Sequence, residues 1–210
     1  MQYLNRQPSH RDAHHQPYRL ADANEEIFEE ETEDSMSTNT SDVWNEKAKF
    51  INSIISEGYI LKKEPCTFNY MFFVISGSLQ LKASFVEDEG MVEAGHFFVL
   101  SCDQTCSMSI REDAHLVIFK FISIMFSYNI PFFQELAEEK TGPYVFTVLP
   151  TNIYLKDLLH LIADGLDKGL GCYHFHKYCN GLLNVILRRS YPRENLLKIY
   201  YHIVGKKMDF

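Results

Sequence analysis

Cys172-Tyr-His-Phe-His-Lys-Tyr-Cys179 places two thiols and two imidazoles within eight residues. In a loop such a set could wrap a zinc ion, which takes thiolate sulfur and imidazole nitrogen in a tetrahedron. On a helix the same residues separate, with Cys172 and Cys179 about two turns apart and His174 and His176 diverging. The apolar spacing from about Phe175 onward is helical, and the Cys/His spacing fits no standard zinc finger, so no metal site is expected. Cys102 and Cys106, on either side of Asp103-Gln104, read as a turn and a buried thiol. Five cysteines without paired spacing fit reduced thiols rather than a disulfide framework.

A second kind of chemistry is capture of a small molecule. Strand alternation points Lys120 to solvent, which puts His115, Val117, Phe119 and Phe121 on the inward face. A histidine among aromatic residues could orient a ligand; it could equally be a core histidine satisfied by a backbone carbonyl. Tyr70, Phe72 and His96 join His115, Val117 and Phe119 as the candidate ligand-binding set. No Ser/His/Asp set or phosphate-binding glycine loop occurs, so no catalytic residue is nominated and no enzyme activity is expected. A cyclic-nucleotide-binding barrel would need an arginine cassette for its phosphate, and none is present.

The elements that must position these residues come in two blocks. Tyr70-Met-Phe-Phe-Val-Ile75 is a short apolar run ending at Ser76-Gly77, and Ser78 to Ser84 then alternates, with Leu79, Leu81 and Ala83 on one face. Ser76-Gly77 and Asp88-Glu-Gly90 read as turns. Ala94-Gly95 leads into an apolar strand from His96 to Leu100, and strands Ser107 to Ile110 and His115 to Phe121 flank a polar turn at Arg111-Glu-Asp113. After Tyr128 the spacing turns helical. The pattern predicts helices from Pro131 to Glu139, from an N-cap at Thr151 or Asn152 to Leu166, from Phe175 to Arg189, and from Pro192 onward. Short strands first and helices second predict an α+β chain with an antiparallel barrel or sandwich.

Composition bounds the alternatives. The chain has 210 residues, 46% of them hydrophobic and 23% charged, with a net charge of −8. One sizeable core fits this length. Residues 1–40 hold three arginines against nine carboxylates, a charge of −6 that leaves −2 for the remainder. This acidic stretch reads as a disordered tail in which Ile27 and Phe28 are local anchors at most. Deleting it is expected to leave the thermal midpoint unchanged. The acidic balance argues against a surface that is wholly a nucleic-acid footprint. No apolar run approaches the roughly 20 residues that span a bilayer. With no signal-peptide pattern either, the expected compartment is the cytoplasm and no membrane partner is expected.

Val74-Ile75-Ser76-Gly77, with Gly95 before Phe97-Phe98-Val99-Leu100, resembles the two motifs of a cupin-like β-barrel. Metal-dependent cupins carry His-x-His and Glu in the first motif and His in the second. Counting back from Gly77, the Glu position falls on Tyr70 and the upstream His positions near Lys63 to Cys66, so that triad is missing and no cofactor is expected. Leu187-Arg-Arg-Ser-Tyr-Pro-Arg-Glu-Asn-Leu-Leu197, followed by Met208-Asp-Phe210, resembles the segment that precedes the DNA-binding domain of one branch of AraC-type transcription regulators. Ser190 departs from that pattern, where an aromatic residue is expected, and the chain shows no paired recognition helices or basic face.

The resemblance implies an N-terminal regulatory domain. Residues 1–40 would be the tail, 41–127 a cupin-like antiparallel β-barrel, and 128–210 a helical dimerisation and linker region. Its function would be to sense an unidentified small-molecule effector and to dimerise, with DNA reached only through a domain beyond Phe210, where the reading frame should continue into helix-turn-helix sequence. The alternatives are a stand-alone metal-free cupin that binds or isomerises a small molecule, and an interaction module without a ligand. The helices after Thr151 carry apolar residues on more than one face. A homodimer is therefore expected through Leu182, Leu183, Ile186, Leu197 and Tyr200.

Overall fold

A computed structural model describes residues 27–28, 48–83, 85, 90–122, 135–136, 138 and 144–204. Among the described residues there are seven strands: β1 (Ala48–Ile55), β2 (Ile60–Lys63), β3 (Asn69–Lys82), β4 (Gly90–Glu93), β5 (His96–Leu100), β6 (Cys106–Phe121) and β7 (Leu149–Pro150). After β7 the described residues form three helices: α1 (Ile153–Asp167), α2 (Tyr173–Ser190) and α3 (Arg193–Ile199). The class is α+β. Most of the tail, the turn at Asp88-Glu89 and most of the helix expected from Pro131 to Glu139 lie outside the described residues; Glu135, Leu136 and Glu138 are helical.

The strands form one antiparallel sheet in the order β1-β6-β3-β5-β7, with β2 also on β6 and β4 also on β3. The sheet is open, so the expected barrel is not closed. Two expected turns are absent for a shared reason. Ser76-Gly77 and Arg111-Glu-Asp113 lie inside the continuous strands β3 and β6, which pair along nearly their whole length. The register shifts between Val74 and Leu79, opposite Ile110 to His115, so both strands bulge and bend at one level. Below the bend β3 and β6 take β5 and β1 as outer neighbours, and above it β4 and β2. Gly77 makes this possible: its φ is 76°, and a Cβ there would run into the Asp113 carbonyl and Ala114 Cα.

The bend divides the core in two. On the inner face, residues of both halves of the sheet meet in one cluster, among them Leu61, Phe72, Leu79, Leu81, Phe98, Met108, Ile110 and Ile118. On the outer face of the lower half, Met71, Phe73, Phe97, Val99, Val117, Phe119 and Phe121 meet the helices. Asn152 caps α1 by accepting from the Leu155 amide at 2.9 Å, and Leu155, Leu159 and Ile162 form its buried stripe. Helix α2 buries Cys179, Leu183 and Leu187, and α3 buries Leu196 and Ile199. Each such side chain removed from water contributes about 1.5–3 kcal/mol, so the two clusters are the main source of stability.

Gly77→Ala tests the bend. Left-handed backbone and the collision with Asp113 together should cost at least about 2 kcal/mol, read as a shift in the denaturant midpoint. A midpoint within error of the parent chain would mean that the bend does not depend on glycine.

Candidate functional site

The inner face of the bent sheet is lined by aromatic rings. Tyr70 and Phe72 of β3 are fully buried there, 6.2 Å apart between ring centroids. Phe72 stacks on Phe98 of β5 at 5.1 Å and 8°, and Phe146 meets Phe98 edge-on at 5.7 Å. Two lysines accompany them. Lys120, placed toward solvent by alternation, is instead 2% exposed on the inner face, its ammonium 4.0 Å from the Phe68 ring centroid. Lys63 is fully buried, and its ammonium donates to the carbonyls of Gln104 at 2.7 Å, Cys102 at 3.2 Å and Glu64 at 3.3 Å. Those three bonds match the donor capacity of an ammonium. The Cys106 thiol, opposite Lys63 in the strand pairing, is pushed up to about 12 by burial, with the Lys63 charge opposing.

The candidate ligand set therefore splits. Tyr70 and Phe72 face the interior. His96 pairs with Val74 at the end of β5 and is half-buried, its Nδ1 3.3 Å from the carbonyls of Glu93 and Ala94. Val117 and Phe119, with Phe121, lie on the opposite face beneath the helices. His115 belongs to that side too: its Nε2 lies 2.6 Å from Asn52 Oδ1, and Asn52 Nδ2 donates to Asp167 at 2.8 Å. The inward assignment of His115, Val117 and Phe119 is thus corrected. Both faces of lower β6 are covered, so alternation could divide its residues but could not say which set looked into the sheet.

The Cys172–Cys179 cluster disperses as helical geometry demands. Cys172 is the exposed N-cap of α2 and Cys179 is buried. His174 lies exposed beside Tyr173 and Tyr178, while His176 Nδ1 accepts the Phe50 amide of β1 at 3.1 Å. Among the described residues no group of three or more His, Cys, Asp or Glu is placed to hold a metal. Outside the interior, a recess of about 280 Å³ between the Ala94-Gly95 turn and α1 is lined by Val74, Thr151, Lys156 and His160 among others.

Sequence reasoning named Ile27 and Phe28 as local anchors of the tail but did not place them at the site. Ile27 is fully buried in the inner cluster, and the Phe28 ring stands edge-on to Tyr70 at 5.2 Å. These two residues of the acidic segment are therefore packed against the sheet, as local anchors would be, and the expectation that the segment adds nothing to folding rests on the thermal midpoint. The available signal was the isolated pair Ile27-Phe28 among glutamates. Removing residues 1–40 should lower the thermal midpoint by a few degrees, because one buried and one partly buried apolar side chain are lost. An unchanged midpoint would uphold the original expectation.

His115 and His176 join the sheet to the helices, and both are held below the usual imidazole range. Burial is the main cause in each. The Asp167 carboxylate opposes it at His115 while His160 adds to it. At His176 the Gly171 backbone opposes it while Lys49 adds to it. The folded chain then binds fewer protons than the unfolded chain below the ordinary value, so stability is lost as pH falls from there. Going from about pH 7.5 to about pH 5.5 should lower the thermal midpoint less in a His115→Gln/His176→Gln chain than in the parent. Identical pH slopes would remove both histidines from the seam's energetics.

No protein-family profile matches the sequence, and no curated protein matches it. Among solved structures, apo ToxT from Vibrio cholerae is similar at 11% identity and a TM-score of 0.47, over 78% of this chain and 60% of that one. A cupin superfamily protein from Desulfitobacterium hafniense is similar at 5% identity and a TM-score of 0.34, over 37% and 69%. KdgF from Halomonas sp. is similar at 14% identity and a TM-score of 0.32, over 36% and 69%. Among the described residues no helix is long and apolar enough to cross a membrane.

Proposed function

We propose that this chain is the effector-sensing and dimerisation half of an AraC-type transcription regulator and carries no catalytic activity of its own. One observation carries the reading. Neighbouring residues of the same strands serve both faces of the sheet: Phe72 stacks on Phe98 inside, while Phe73 meets Phe97 at 5.4 Å beneath the helices. A ligand that shifts β3 against β5 cannot do so without disturbing the helical layer.

The helical layer includes the segment that resembles the lead-in to a DNA-binding domain. Leu187 closes α2, Pro192 turns the corner, and Leu196, Ile199 and Tyr200 enter the same core as Phe73 and Phe97. Tyr191 ties the corner down, its hydroxyl donating to the Pro150 carbonyl at 2.8 Å and its ring edge-on to Phe97. An effector with different affinity for two arrangements of this layer would bias whatever follows α3.

Dimerisation is part of the proposal, with a revised surface. Leu183 and Tyr200 are each 1% exposed inside the chain's own core, and Ile186 and Leu197 are partly buried against it, so these four are not a free face. Leu182 remains, with Tyr178 and Val185, at 52%, 70% and 58% exposure on one stripe of α2. An apolar stripe of that kind suits an isologous partner, a second copy of the chain. Sedimentation at micromolar concentration should give twice the 24.5 kDa chain mass, and Leu182→Glu should return it to one chain without loss of folding. A soluble parent monomer would overturn the dimer.

A further inference from the structure

The inner face of the sheet is occupied at one place by a part of the chain that no strand holds. Ile27 is fully buried there, and Phe28 packs its ring on Tyr70 at 5.2 Å and on Phe72 at 6.4 Å. These contacts reach the aromatic ladder in which Phe72 stacks on Phe98. Tyr70, Phe72 and Phe98 are fixed by the backbone ladders of β3 and β5 and cannot leave without breaking the sheet. Ile27 and Phe28 come from a segment whose flanks are Glu25-Glu26 and Glu29-Glu30-Glu31. Burying a carboxylate in an apolar interior is costly, whereas the side chains of Ile27 and Phe28 are wholly apolar.

We propose that Ile27-Phe28 is a displaceable self-ligand: it fills the slot over Tyr70 and Phe72 that an uncharged aromatic effector would take, so effector binding and release of the N-terminal segment are one competition. The proposal rests on the reading that an effector enters the sheet interior. The burial of two side chains and the ordering of the few residues that carry them are opposing quantities of similar size, so the docked and released states lie close in free energy. A side chain in a strand of the sheet has no such freedom. The ligand class follows from the occupant. An isoleucine side chain and a phenyl ring define a slot for a flat hydrophobe with a small branched aliphatic part, stabilised by edge-to-face contact with Tyr70. Release would free the Ile27-Phe28 pair, turning the state of the pocket into a change at the chain's N-terminal side.

The test uses the whole 210-residue chain and the uncharged fluorescent hydrophobe Nile red. In the parent the released state is the minor one, so apparent affinity is reduced by its fraction. An Ile27→Ala/Phe28→Ala chain should bind the dye about tenfold more tightly, as expected if roughly a tenth of the parent molecules are open. A synthetic peptide covering residues 22–34 should displace the dye from that variant, and Tyr70→Leu should weaken binding. Equal dye affinity in parent and variant, with weakening by Tyr70→Leu retained, would overturn the self-ligand and leave the interior site standing. Absence of dye binding in a variant that keeps its circular dichroism spectrum would overturn both. Should the double variant fail to fold, hydrogen exchange in the parent decides. Amides around Ile27-Phe28 should lose protection when the dye is added, and unchanged protection at saturating dye would overturn the competition.

Discussion

Two long strands that bend together at Gly77 and Asp113 hold the rest of the molecule in place. Because β3 and β6 are paired along nearly their whole length, neither can bend alone; the matched irregularity lets the ladder change direction without leaving a row of unpaired amides. The bend brings the inner faces of the upper and lower halves into one cluster and leaves the outer face of the lower half to the helices. Among the described strands, β1, β2, β4 and β5 attach directly to this pair, and β7 attaches through β5. The helical layer has no sheet to cover without it.

The second constraint is polar. An aromatic interior that also buries two ammonium groups must satisfy them locally, since unpaired buried charge is costly. Lys63 does this with three backbone carbonyls from its own neighbour and from the Cys102–Gln104 turn, which Gln104 in turn holds by accepting the Ser101 amide at 2.8 Å. Lys120 lays its ammonium on the Phe68 ring. In the cupin resemblance the region of Lys63 and Tyr70 is where metal ligands would stand. Here a caged cation and a phenol occupy it, and the cage bonds commit the lysine to the wall of the site.

The two faces differ in how permanently they are filled. The helical face is closed by side chains that belong to long elements: α1 contributes Leu155, Leu159 and Ile162, and α2 contributes Leu183 and Leu187. The inner face is completed by Ile27 and Phe28, which no strand pairing holds. An interior finished by such a short segment is suited to exchanging it for something else. The permanently packed side is suited to transmitting the exchange, because Phe72 and Phe73 are consecutive residues that face opposite layers.

Much of the architecture is dictated locally. The order of strands and helices, the start of β5 at His96, the Asn152 cap of α1 and the corner at Pro192 all follow from period, turn chemistry and capping, which act within a few residues. The dispersal of Cys172, His174, His176 and Cys179 follows from helical geometry alone. What the sequence by itself could not determine is everything set by pairing at a distance. Ser76-Gly77 and Arg111-Glu-Asp113 have the composition of turns, and only their mutual pairing makes them bulges within continuous strands. Alternation separates Lys120 from His115, but with both faces of β6 buried only the tertiary structure decides that lysine looks inward and histidine outward. Ile27 and Phe28 are two apolar residues in an acidic run, and their burial against Tyr70 and Phe72 depends on a slot built by residues more than forty positions away. Local rules specify elements; long-range packing specifies faces and occupants, because burial is a property of the assembled surface and not of the segment that enters it.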